Sequence, residues 1–223
     1  MNYKRFFILA LLIAHCSLLT VFGQQAIIQE FTGTVEIQKA GTTAWEPVTQ
    51  GQTISVNTLI STGFRSSALV RIGSTLLTVR PLTRMSITEL GSREGTETLN
   101  VALQAGRVRA DINPPAGTRT SGKIIAPVAT ASTRGTVFEV DTFRLWVIEG
   151  AIEYSGVSGS PVIVDAGRRS YVNEQTGRAA LPLETYIADL RPDLPIASEL
   201  VSSTGRSGQG SNALDLEAIA EFQ

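Results

Sequence analysis

Cysteine and histidine are almost missing from this 223-residue chain: Cys16 is its one thiol and His15 its one imidazole. Both sit in the apolar stretch at the N-terminus. There, Lys4 and Arg5 precede an apolar run from Phe6 to Phe22, and Gly23 supplies a small residue at its end. This layout is that of a secretory signal peptide, residues 1–23, with Gln24 as the first mature residue. Lipidation at Cys16 is disfavoured, because His15 stands where a small residue is wanted and apolar sequence continues beyond. The alternative is an uncleaved anchor, for which the run is slightly short. No later apolar run approaches the length of a membrane span. Cleavage leaves a mature chain with no thiol, disulfide or imidazole base. Ser–His–Asp and Cys–His hydrolysis are then excluded, as is zinc chemistry with the usual ligands.

Other shortages narrow the field further. Neither a phosphate-cradling glycine loop nor a dinucleotide fingerprint is present, so no cofactor is expected. Net charge is -1 and the pI about 5.9, which points to neither nucleic acid nor an anionic membrane as partner. Beyond the N-terminus the only lysines are Lys39 and Lys123, so arginine carries most of the positive charge. Arg107 and Arg109 flank Val108 and share one strand face, read as solvated. Carboxylates are the one catalytic route left. Glu139 and Asp141 alternate on a strand, roughly 7 Å apart by strand rise, a spacing a glycosidase pair can use. Aromatics make up 6% of the chain and form no sugar platform beside them, so the pair reads as a solvated strand face. No calcium-loop spacing occurs.

What the chain does have is short alternation of apolar and polar residues, punctuated by glycine. Val35 and Ile37 alternate after Gly33, and Trp45-Glu46-Pro47 continues in extended form, with Trp45 as a lid over the core edge. Ile54, Val56 and Leu59-Ile60 suggest one strand after Gly51. Ala68, Val70 and Ile72 alternate up to Gly73-Ser74, and Leu77 and Val79 down to Pro81. Met85 to Leu90 follows, then Leu99 to Asp111, with Gly106 where a bend or bulge falls. Phe143 to Ile148, Ala151 to Tyr154 and Val162 to Val164 complete the series. The expectation is an all-β domain over 24–172: a twisted, solenoid-like or sandwich-like stack of short antiparallel strands. Short helices are expected C-terminal to it, with a helical extension over 173–201 that includes Leu183 to Leu190. A Gly- and Ser-rich linker over 202–211 leads to an amphipathic helix over 212–223.

The stretch Pro127 to Val140 organises the rest. Pro127 blocks helix, Gly135 permits a backbone no Cβ would tolerate, and Val137, Phe138 and Val140 suit a half-buried strand. Its Ala131-x-x-Arg134-Gly135-Thr136-x-Phe138-x-Val140 pattern resembles the FecR domain, an extracytoplasmic module of bacterial envelope signalling. Trp45-x-Pro47-Val48-x-x-Gly51, Leu59-Ile60-Ser61-Thr62-Gly63, Gly73-Ser74 and Val79-x-Pro81 resemble its first half. Leu103-x-x-Gly106-x-Val108, Pro127 and Val147-x-Glu149-Gly150 resemble its second, in the expected order, from about Gln29 to Gly167. Ile72 departs from the pattern, which often places aspartate there, and the cytoplasmic anti-sigma segment of the name-giving regulators has no counterpart. The resemblance implies an extracytoplasmic, twisted, solenoid-like β domain binding a protein or envelope component; anti-sigma activity is not implied.

The motif residues Gly33, Trp45, Gly51, Gly73, Pro81, Gly106, Pro127, Arg134, Gly135, Thr136, Phe138, Glu149 and Gly150 read as structural. Thr136 suits a local turn bond, and Arg134 suits either a pair with an acid such as Glu149 or an exposed contact. Three functions stay open: a non-enzymatic interaction or sensing module of the bacterial envelope, a carboxylate-dependent cell-wall glycan hydrolase, and a purely structural envelope protein.

Overall fold

The computed structural model describes residues 25–185 apart from Glu94, Pro115 and Glu184. The expected signal peptide, linker and last helix, and most of the Leu183 to Leu190 segment, lie outside the described residues.

Among the described residues, seventeen short strands form two sheets. In chain order they are β1 (Ala26–Thr32), β2 (Val35–Gln38), β3 (Glu46–Pro47), β4 (Thr53–Ile54), β5 (Leu59–Thr62), β6 (Ser67–Ile72), β7 (Thr75–Val79), β8 (Arg84–Arg93) and β9 (Thr96–Ala105). Then come β10 (Arg107–Ile112), β11 (Arg119–Ile125), β12 (Ala129–Thr133), β13 (Val137–Asp141), β14 (Arg144–Glu149), β15 (Ala151–Gly156), β16 (Val162–Asp165) and β17 (Arg169–Tyr171). The first sheet runs β4-β1-β6-β7-β10-β13-β14-β17 and the second β3-β2-β5-β8-β9-β11-β12-β15-β16. Both orders follow the chain almost without inversion, because the chain changes sheet after every one or two strands. The result is a sandwich laid down as a rising stack, so the solenoid-like and sandwich-like expectations describe the same object.

Alternation explains the core. β6, β7, β10 and β12 bury every second residue. The inward sets of the two sheets merge into one cluster, with Ile28, Val70, Leu77, Val108, Phe138 and Val147 from the first. Ile37, Ile60, Ile87, Val101, Ile124 and Ile152 come from the second. Full burial of such side chains contributes about 1.5–3 kcal/mol each.

Three local expectations are corrected. Ile54 to Ile60 is not one strand: Asn57 adopts φ 64°, its N–H donating to Ile87 O at 2.7 Å. The chain thus breaks between β4 in the first sheet and β5 in the second. Leu99 to Asp111 is not one strand, and of the bend or bulge expected at Gly106 the bend is found: it is the corner where the chain leaves β9 in the second sheet for β10 in the first. That corner also produces a parallel pairing of named strands, β9 with β11, in a fold expected to be antiparallel. The excursion through β10 returns the chain in the direction it left. Past β17 the backbone is held by Val172 bridging Ala179 and Ala180 N–H donating to Tyr171 O at 2.8 Å.

Candidate functional site

The loops at one rim of the sandwich are joined through hydroxyl groups that take the place of ladder bonds. The Thr62 hydroxyl donates to Arg80 O at 2.6 Å and accepts the Thr83 N–H at 3.0 Å. The Thr83 hydroxyl accepts the Arg107 N–H at 2.9 Å, and the Ser66 hydroxyl accepts the Thr34 N–H at 2.9 Å. Thr62, Ser66 and Thr83 are all buried, where an unpaired hydroxyl would be costly. Leu82 N–H donates to Gly63 O at 3.2 Å, and Arg80 N–H to Arg107 O at 3.0 Å. Sequence reading placed Thr62 in a turn without this bonding role and missed Ser66 and Thr83. Their only signal is a hydroxyl next to, or within a few residues of, a turn glycine or proline.

This splice places the 80–83 loop, the Gly106 corner and the 142–143 turn around a cleft of about 540 Å³. Arg80, Leu82, Arg107, Glu139, Asp141 and Phe143 line it, together with Pro81 and Gly106. Glu139 is its hub. Arg80 Nη2 donates to Glu139 Oε2 at 2.8 Å and Arg107 Nη1 to Glu139 Oε1 at 3.2 Å. Glu139 also stands opposite Arg109 on β10 and Trp146 on β14. Asp141 Oδ1 accepts the N–H groups of Phe143 at 2.9 Å and Arg144 at 2.7 Å, which fixes the turn. Asp141 Oδ2 lies 3.9 Å from Arg107 Nη2. Arg107 is exposed, as expected of a solvated face, and it also clamps this carboxylate pair.

Phe143 and Thr142 are shared with a second, apolar groove of about 450 Å³, lined further by Pro127, Val128, Val157 and Gly177. Val157 is 68% exposed and Leu82 61%. Arg144 stacks over Phe143 at 4.8 Å and Arg65 over Phe64 at 5.4 Å.

Of the motif residues, only Pro81, Gly106 and Pro127 line these clefts. Gly33, Gly51, Gly73, Gly106, Gly135 and Gly150 all have positive φ at turns, and Gly135, at φ 140°, faces Pro114. The Thr136 hydroxyl meets that of Thr133 at 2.6 Å in a buried contact. Phe138 is fully buried. Trp45 is half-buried beneath Arg84, 5.3 Å from its ring centre. The favoured Arg134–Glu149 pair does not form: both are exposed, and Glu149 sits across the ladder from Val137, beyond the turn that carries Arg134. The acids of this region that do find arginine are Glu139 and, at longer range, Asp141.

Tyr154 is fully buried, yet its hydroxyl has no partner among the described residues. Burial pushes its pKa well above the usual phenol range, and the charge of Asp141 adds to the shift. Tyr154→Phe should therefore leave stability unchanged or raise it by about 1 kcal/mol, since only an unpaired hydroxyl is lost. Above pH ~10 the unfolded phenol ionises while the folded one keeps its proton, so wild-type stability should fall as pH rises. The variant should lack that share of the fall. Urea melts of both proteins at pH 8 and 11 check this.

Residues 58–153 match the family model described as FecR protein. No curated protein sequence matches the chain. Two crystal structures of a candidate anti-sigma factor from Parabacteroides distasonis are similar, at 17% and 18% identity and a TM-score of 0.45 each. In both, the match covers 55% of this chain and 57% of that one. The chain thus spans little more than half the length of those proteins.

Proposed function

From a chain whose residues 58–153 match the FecR family, we propose a non-enzymatic interaction or sensing module of the bacterial cell envelope that binds a protein or envelope component. The observation that carries this reading is the family match on a sandwich whose rim exposes Leu82 and Val157 beside two clefts. Exposed apolar residues gathered around concave surfaces mark contact sites. The module acts outside the cytoplasm, after cleavage of residues 1–23. N-terminal sequencing of the exported protein should begin at or near Gln24, and a species retaining Met1 would establish the anchor reading instead. Among the described residues, no helix is long and apolar enough to cross a membrane.

The runner-up reading, a glycan hydrolase using Glu139 and Asp141, is disfavoured by how Glu139 is held. Both of its carboxylate oxygens already accept guanidinium N–H bonds. A nucleophile or general base needs a free oxygen aimed at substrate. Glu139→Gln should cost about 1 kcal/mol, because Arg80 and Arg107 are roughly half-exposed and screening weakens such pairs. Peptidoglycan fragments should stay intact with either protein; hydrolysis by the wild type that Glu139→Gln abolishes would overturn the non-enzymatic reading.

A further inference from the structure

We propose that the free edge of β16 pairs with β16 of a second copy of this chain, antiparallel about Ile163, joining the second sheets of the two molecules into one. The inference is independent of what the rim binds.

The two ends of the sandwich are finished differently. At the N-terminal end the outermost strands are β3 and β4, each two residues long. β3 carries Pro47, which has no N–H to donate, and Glu46, which pairs with Lys39 at 2.8 Å. Short edges bearing charge and proline resist a further strand. At the C-terminal end β17 closes the first sheet, and residues 178–180 run along its outer side: Ala180 N–H donates to Tyr171 O, and Val172 bridges Ala179. β16 closes the second sheet, and among the described residues no strand lies beyond it. Its sequence, Val162-Ile163-Val164-Asp165, holds neither proline nor lysine, and it pairs with β15 without a register shift. Ile163 is 57% exposed on the outer face.

The backbone of this edge is complementary to itself. Along an antiparallel strand, the N–H and C=O groups of successive residues turn to alternate sides. Val164 has no exposed surface, so its groups face β15, and those of Ile163 and Asp165 face the open edge. Asp165 O accordingly accepts the Arg168 N–H at 3.0 Å as the chain turns away. Pairing about Ile163 sets it opposite Ile163 of the second copy, each donating its N–H to the other's carbonyl. Asp165 then stands opposite Pro161 of the second copy and donates its N–H to that residue's carbonyl. The return bond is not required, because Pro161 lacks an N–H and Asp165 O already has its donor. This match of a missing donor to an occupied acceptor singles out a second copy over an unrelated strand. The two Asp165 carboxylates stay apart, and Val162, packed against the core cluster, meets Val164 on the inner face. Because the opposite end resists strands, like pairs with like and the contact closes as a dimer instead of growing into a fibre. The two-fold axis reverses strand direction, so the rims of the two copies face opposite ways.

The test is sedimentation velocity on the exported chain over a concentration series, which should show a monomer–dimer equilibrium. Ile163→Pro removes the N–H that faces the open edge and spares the ladder to β15, and Ile163→Lys sets like charges opposite each other. Each should raise the dimer dissociation constant about tenfold or more, with thermal midpoints close to that of the wild type. Trp146→Ser, at an exposed position of the first sheet, should leave the equilibrium unchanged. Cys16→Ser as background makes an introduced thiol the only one in the chain. Under oxidation, Ile163→Cys should then give a disulfide-linked dimer, its Cα atoms about 5.5 Å apart across the pair, while Ala151→Cys on β15 should not. A monomer up to about 1 mM protein, a dimer indifferent to both Ile163→Pro and Ile163→Lys, or equal crosslinking from Ala151→Cys would overturn the inference.

Discussion

Gly106→Val should lower the thermal midpoint by about 10 °C, the largest effect of any single rim substitution. Gly106 has φ +83°, and a Cβ built on it would lie 2.5 Å from Thr83 Cα and 2.6 Å from Leu82 O. Those neighbours are backbone, so relief requires moving the 80–83 loop and breaking the Thr83 hydroxyl bonds to Arg107. Left-handed backbone costs a β-branched residue roughly 1–2 kcal/mol or more, and forced overpacking adds about 1–3 kcal/mol. At about 2–4 °C per kcal/mol for a domain of this size, the sum approaches the stated shift. Gly51→Ala is the control. It shares a positive φ of +79° but has nothing within 4 Å of its Cβ position, so only the backbone term applies, about 1 kcal/mol. Equal losses at the two positions would show that the close approach at the corner is misjudged.

Phe138→Ala should cost about 3–5 kcal/mol in urea unfolding, as buried phenylalanine truncations do. The ring is fully buried in the central cluster, on β13 between β10 and β14, so the sandwich cannot collapse around the gap without moving both. Phe138→Leu, which keeps most of the volume, should cost under about 1.5 kcal/mol. A small loss for the alanine variant would mean that β13 is not where the two sheets lock together.

Much of the fold was legible because alternation with period two and turn glycines are local signals. The strands around Val35, Ala68 to Val79 and Phe143 to Tyr154 could be read from side-chain pattern alone. The Gly106 corner could not: strand-to-strand passage between sheets and a bulge within one sheet leave the same trace of alternation broken by glycine. The parallel pairing of β9 and β11 follows from that corner and was hidden with it. The rim was harder still. Glu139 lies 59 residues from Arg80 and 32 from Arg107, so nothing local announces the clamp, whereas the nearer Glu149 looked like the partner for Arg134. The motif residues could be recognised, but most of them shape turns and core. The surface that faces solvent is built from neighbours the motif does not include, such as Leu82, Arg107 and Phe143.

The central claim, that this rim is the working face of a binding module, is tested most directly by photocrosslinking in the native envelope. A photoreactive residue replaces Leu82 at the rim or, as control, Lys123, which is exposed on β11 of the second sheet. The account predicts a discrete adduct from position 82 that Val157→Asp abolishes, and none from position 123. The same adducts from both positions, or an adduct at 82 indifferent to Val157→Asp, would contradict it.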